Sequence, residues 1–222
     1  MDPAVGLVES YLRLNGYFTV TEFQVQHPSG GGRYETATDL DVLAVRLPHA
    51  ADTVLRHPQG RGEERCEILL AEDPALELQA NIPDVLIGEV KEGAAQLNRR
   101  LTSPEVLHAA LRRSGCCPEG HTAAAAAALA ATGEFRLSAA HGVPCRVRLA
   151  SFCGHVEEPP VPAVLIITLG HILEFIMGRL REYRPILRSA QFTDPTLILL
   201  KLLDKLGMDL APASGAPGLS KP

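Results

Sequence analysis

The residues best suited to chemistry lie in the stretch Asp84-Val-Leu-Ile-Gly-Glu-Val-Lys-Glu-Gly93, where an apolar run ends on Glu89 and Lys91. Val85, Leu86, Ile87 and Val90 are strand formers. Strand side chains alternate faces at a rise of about 3.3 Å, so Glu89 and Lys91 share one face about 6.6 Å apart. Burying either charge alone is costly, so they must face water, a partner charge or a metal ion. Upstream, residues 38–47 read Thr-Asp-Leu-Asp-Val-Leu-Ala-Val-Arg-Leu, which puts Asp39 and Asp41 on one face of a second strand. Aspartate is disfavoured in strands, and packing alone does not account for Asp41 inside an apolar run. A further carboxylate, Glu9, falls on the margin of the apolar face of an N-terminal helix, beside Val5 and Leu12. It either pairs with Arg13 at i+4 or leans over the neighbouring sheet.

The elements that must position these groups follow from local signals. Asp2 and Pro3 suit a helix start, and Asn15-Gly16 a helix end. Residues 17–26 are β-branched and aromatic, and Gly30-Gly31-Gly32 forms a hairpin tip before the strand that carries Asp41. Residues 49–72 are polar and broken by Pro58, Gly60 and Gly62, which predicts a surface excursion. After the Glu89 strand, a helix is expected near 94–101. Thr102-Ser-Pro-Glu105 then opens another helix, to Arg113, ended by Gly115. An alanine-rich helix at 122–131, a strand at 145–152, a long helix at 163–184 and a last helix capped by Asp194-Pro195 complete the pattern. The tail from 211, rich in proline, glycine and serine, reads as disordered.

The 222 residues carry a net charge of −5, with 46% hydrophobic and 21% charged content. These values describe one sizeable globular core and argue against a chain that coats nucleic acid non-specifically, while leaving room for a local basic face. The expectation is a single domain over 1–210, with a core at 3–101, an elaboration at 102–210 and a disordered tail at 211–222. The five cysteines are odd in number, and the N-terminus lacks the pattern of a signal peptide, so a reducing, cytoplasmic location is expected. The apolar run 161–177 is short for a bilayer span and holds His171 and Glu174, so it reads as a buried helix, with no membrane association.

Taken together, Asp39-Leu-Asp-Val-Leu-Ala44 and Gly88-Glu-Val-Lys-Glu-Gly93, preceded by a helix bearing Glu9, resemble the PD-(D/E)xK nuclease superfamily, the restriction-endonuclease-like fold of Holliday-junction resolvases and Mrr-type enzymes. The match spans roughly residues 3–101. It implies an α/β fold with a mixed central sheet flanked by helices, with additional C-terminal helices, and a Mg²⁺- or Mn²⁺-dependent nuclease. DNA is the expected substrate ahead of RNA, and a homodimer would suit cutting two strands. The resemblance makes Asp41 the bridging metal carboxylate and Glu89 the second ligand, assisted by the main-chain carbonyl of Val90. Lys91 would orient or deprotonate the attacking water, Glu9 would be an additional ligand, and Gln96 an accessory polar group on the following helix. Asp39 competes with Asp41. Pro83-Asp84 spells the superfamily's literal motif, but its odd offset from Glu89 sets the two carboxylates on opposite faces of one strand. Phosphodiester hydrolysis calls for the same residue types, because Mg²⁺ takes one or two carboxylates plus water and substrate oxygens. The alternative is an inactive scaffold of that fold that binds nucleic acid or a protein.

Other features read more plainly. Cys116-Cys117 with His121, and Cys145 with Cys153 and His155, lack zinc-site spacing and read as buried small residues without a disulfide. His49 and His171 read as packing or capping residues. Arg99, Arg100, Arg112 and Arg113 suit either a phosphate-contacting patch or solvated helix faces.

Overall fold

The computed structural model describes residues 2–48, 50, 72–157, 164–184 and 192–208. His49, Cys66, most of the expected excursion at 49–72 and the tail from 211 lie outside them. Helix α1 (Pro3–Leu14) starts where Asp2 accepts a hydrogen bond from the Ala4 N–H at 2.7 Å, and it stops at Asn15, before Gly16 with φ 84°. A long hairpin follows, β1 (Tyr17–Ser29) and β2 (Arg33–Arg46), turning through glycines at positive φ. β3 (Asp84–Ala94) pairs antiparallel with β2, from Arg46↔Asp84 to Val42↔Gly88. Helices α2 (Pro104–Ser114) and α3 (Glu119–Thr132) and the short strand β4 (Glu134–Leu137) then carry the chain to β5 (Cys145–His155), which lies parallel to β3. β6 (Leu165–Thr168) adds parallel to β5, and α4 (Leu169–Glu182) and α5 (Pro195–Lys205) close the chain.

The result is an α/β protein with a mixed sheet of order β1-β2-β3-β5-β4, in which β6 pairs the other half of β5. Strand alternation splits the core in two. Leu86, Val90, Ala150 and Phe152 face Val5, Val8, Leu12, Ile172 and Leu197 from α1, α4 and α5. Val85, Ile87, Val147 and Leu149 face Leu107, Leu111, Ala125 and Leu129 from α2 and α3. β2 breaks this alternation. Val42 and Ala44 join the first core, but Leu40 and Leu43, an odd number of residues apart, both join the second. The break falls around Asp41, and the facing strand bends at Glu22, with φ 53°.

Three local expectations change. No helix forms at 94–101: Ala94 stays in β3 opposite His155, and the Ala95 N–H donates to the His155 carbonyl at 2.9 Å, so strand pairing wins over weak helix signals. The expected helix at 163–184 is β6 followed by α4, because Leu-Ile-Ile-Thr finds the open edge of β5 before Thr168 caps α4 by accepting from the His171 N–H at 3.2 Å. A short apolar run carries no periodicity that separates the two. Lastly, Cys116 and Cys145 form a disulfide, with Cα atoms 6.4 Å apart, where none was expected. Strain keeps neighbouring Cys116 and Cys117 from pairing with each other, but the fold brings β5 to Cys116 from 29 residues away. A reducing compartment does not maintain such bonds as a rule, which weakens the argument for the cytoplasm.

Candidate active site

β3 is buried from Asp84 to Val90 and emerges at Lys91, so its carboxylate and its ammonium meet at the boundary of the core. Glu89 is only 3% exposed, and its Oε1 lies 2.5 Å from the Nζ of Lys91. Regular pairing between β2 and β3 ends at Val42↔Gly88. One residue further, half-buried Asp41 turns its side chain to β3, and its Oδ2 accepts a hydrogen bond from the Val90 N–H at 2.8 Å. The carboxylate stands in for a main-chain acceptor at the point where β2 loses its alternation. Asp41, Glu89 and Lys91, read from segments 48 residues apart in the chain, thus form one group.

Their charges act on each other. Burial pushes the Asp41 carboxyl above its ordinary pKa; the Val90 N–H and Lys91 oppose this, and the charges of Asp2 and Asp39 add to it. Burial also raises Glu89, with the Lys91 hydrogen bond opposing and Asp41 reinforcing the shift. Lys91 is raised by its hydrogen bond to Glu89, with Asp41 adding to the effect. Two carboxylates and one ammonium leave the group short of positive charge, and the two acids hold their protons more tightly than in water.

The other candidate residues stand apart from this trio. Glu9 is buried on α1, where its Oε1 accepts from Arg13 Nη2 at 2.6 Å and from Thr19 Oγ1 at 3.0 Å. Both readings of Glu9 therefore hold in part: it pairs at i+4 and it leans on β1. It is not among the groups that act on Asp41 or Glu89. Asp39 is exposed opposite Gln24 and reaches Asp41 only through its charge. Gln96 is exposed on a loop, not a helix, and its main-chain carbonyl accepts from Ser151 Oγ at 3.5 Å. Asp84 is buried away from the trio, bonded by Tyr17 Oη at 2.5 Å and by Arg148 Nε and Nη2 at 3.1 and 2.7 Å. It is a structural ion pair. Among the described residues no group of three or more His, Cys, Asp or Glu side chains is placed to hold a metal ion.

Sequence reading missed Ser151 and Asp2. Ser151 is fully buried and lies beside Glu89 in the β3–β5 register, a proximity set by a parallel crossover that no local pattern announces. Asp2 shows only as a helix cap, yet its charge reaches Asp41. His171 is held by a buried partner, with Nε2 2.6 Å from Asp73 Oδ2. Burial alone would raise Asp73, but the Ala75 N–H, the Tyr11 hydroxyl and His171 outweigh it and hold the carboxyl below its ordinary range. Arg99, Arg100, Arg112 and Arg113 are all exposed.

Fold and trio define an α/β protein with an acidic, lysine-bearing group where β2 and β3 part. No family model, curated protein or solved structure matches the chain. Among the described residues no helix is long and apolar enough to cross a membrane.

Proposed function

We propose that the protein is a metal-dependent nuclease of restriction-endonuclease-like type that hydrolyses phosphodiester bonds, DNA ahead of RNA. The observation that carries this reading is the 2.8 Å hydrogen bond from the Val90 N–H to Asp41, which draws the carboxylate of β2 to Glu89 and Lys91. The donor chemistry fits a hard divalent cation, since Mg²⁺ accepts a site of one or two carboxylates completed by water and substrate oxygens. Asp41 and Glu89, with the main-chain carbonyl of Val90, would hold the ion. It would polarise a phosphoryl oxygen and acidify a bound water. Lys91, 42% exposed at its side chain, can swing from Glu89 to a phosphoryl oxygen and offset negative charge there. The high proton affinity of both carboxylates is relieved by a cation as well as by a proton. Glu9, turned to Arg13 and Thr19, is left out of this minimal ligand set.

The test is incubation of the protein with single-stranded, duplex and branched DNA and with RNA, in Mg²⁺ or Mn²⁺. Cleavage that Asp41→Ala abolishes, together with calorimetric metal binding that the same change removes, is the expected result. Lys91→Met should keep most metal affinity and lose turnover by roughly 10²-fold or more. Equal loss of both would contradict the role given to Lys91. A second reading, a non-catalytic scaffold that binds nucleic acid or a protein, draws support from the Lys91–Glu89 ion pair and from the separate engagement of Glu9. No cleavage and no metal binding would favour it.

A further inference from the structure

On the side of β5 away from β3, β4 and β6 both pair with β5 but cover different halves of it, residues 145–148 and 150–153. A cavity of about 630 Å³ opens where they abut, bordered by Arg146, Arg148, Glu77, Leu149, Leu165 and Ile166. Its volume is that of a small-molecule pocket. The two arginines project from one face of β5, 6% and 3% exposed. Burying two like charges side by side demands counter-charge.

The protein supplies one carboxylate to each arginine, but leaves guanidinium N–H groups over. Asp84 takes the Nε and Nη2 edge of Arg148, leaving Nη1 without a partner among the described residues. Glu134 divides one carboxylate between Arg146 Nη2 at 2.8 Å and Arg136 Nε at 2.5 Å. Glu77 is no substitute: its side chain is 72% exposed and stands 3.9 Å from Arg146. Its main-chain carbonyl does accept from Arg146 Nη1 at 2.9 Å, from a non-glycine residue held at φ 47°. Arg146 Nε is a buried donor with no partner among the described residues. Arg136 is half exposed and solvated, so the two buried guanidiniums meet two carboxylates. Yet Arg146 Nε and Arg148 Nη1 stay without a partner among the described residues, beside Leu165 and next to a backbone position at positive φ, a combination that marks binding sites.

We propose that this cavity binds a small organic anion, a carboxylate or phosphate monoester head at the Arg146–Arg148 edge on an apolar body against Leu165, which shares the arginines' face of the sheet. The site is independent of the Asp41 group. Calorimetric titration in EDTA with octanoate, octyl phosphate, octanol and inorganic phosphate tests it. Octanoate or octyl phosphate should bind roughly tenfold or more tightly than both octanol and inorganic phosphate, and the tighter of the two identifies the head. Arg146→Lys should weaken that binding by roughly tenfold while the thermal midpoint and circular dichroism stay near those of the parent. If this variant does not fold, Ala75→Phe, which fills the cavity from a neighbouring turn, decides by removing binding. Octanol binding as tightly as octanoate, no binding of either anionic probe below about 1 mM, or unchanged affinity in Ala75→Phe would overturn the proposal.

Discussion

Asp41 and Glu89 are both raised above their ordinary pKa, chiefly by burial, so their ionised forms weigh against the folded state. Below the unfolded pKa, near 4, both states are protonated and neither group contributes. As pH rises the unfolded chain ionises first, so stability falls, and the full cost is present once pH exceeds the raised folded values. Asp41→Asn removes that cost and keeps an oxygen acceptor for the Val90 N–H. Its thermal midpoint should equal or exceed that of the parent at pH 7, with the difference shrinking as pH falls towards about 4. A midpoint several degrees lower at pH 7 would mean that Asp41 is held for packing. Divalent cation should raise the parent's midpoint and leave the variant's unchanged. Asp73 has the opposite sign: its lowered pKa contributes stability above its unfolded value, and this is lost as pH falls through the folded one.

At the scale of elements, the group depends on how closely β3 and β5 run at their exposed ends. A Cβ added at Gly154 would stand 2.0 Å from the Glu92 main-chain carbonyl, so only glycine allows the approach that lets Ala95 bond His155. Gly154→Ala should cost roughly 1–3 kcal/mol or more, lowering the midpoint by several degrees, and should disturb the trio along with it. Thermal unfolding and metal titration of one sample measure both. At the other end of these strands Arg148 neutralises Asp84 deep in the core, and Tyr17 completes the carboxylate's bonds. Removing one partner leaves the other charge buried alone, so Arg148→Met should destabilise by about 3–5 kcal/mol. An Arg148→Met, Asp84→Leu double change should recover much of that loss.

For the whole molecule, the sheet holds two polar regions at opposite ends, one acidic at the close of β3 and one rich in arginine at the start of β5. A Cys116–Cys145 bond ties the α2–α3 connection to β5, which carries residues of both regions. Closing a separation of 29 residues restricts the unfolded chain by roughly 3–4 kcal/mol. Reduction should lower the denaturation midpoint accordingly, with little change in metal affinity, and denaturant titrations with and without dithiothreitol measure the effect. An unchanged midpoint on reduction would show that the bridge carries no share of stability.

The sequence by itself determined what short-range physics decides. Asp2-Pro3, Gly115 and Asp194-Pro195 place helix ends, the strand formers Val85, Leu86, Ile87 and Val90 make a strand, and an even offset sets Glu89 and Lys91 on one face. Even the rejection of Asp84 followed from its odd offset. Tertiary structure alone decided that Asp41 meets Val90, that Glu9 turns to Arg13 and Thr19, that residues 94–101 forgo a helix for β5, and that Cys116 finds Cys145. Each of these rests on partners far apart in the chain or on competition between elements. Local propensity carries no information about which distant hydrogen bond or sulfur will come within reach once the sheet is assembled.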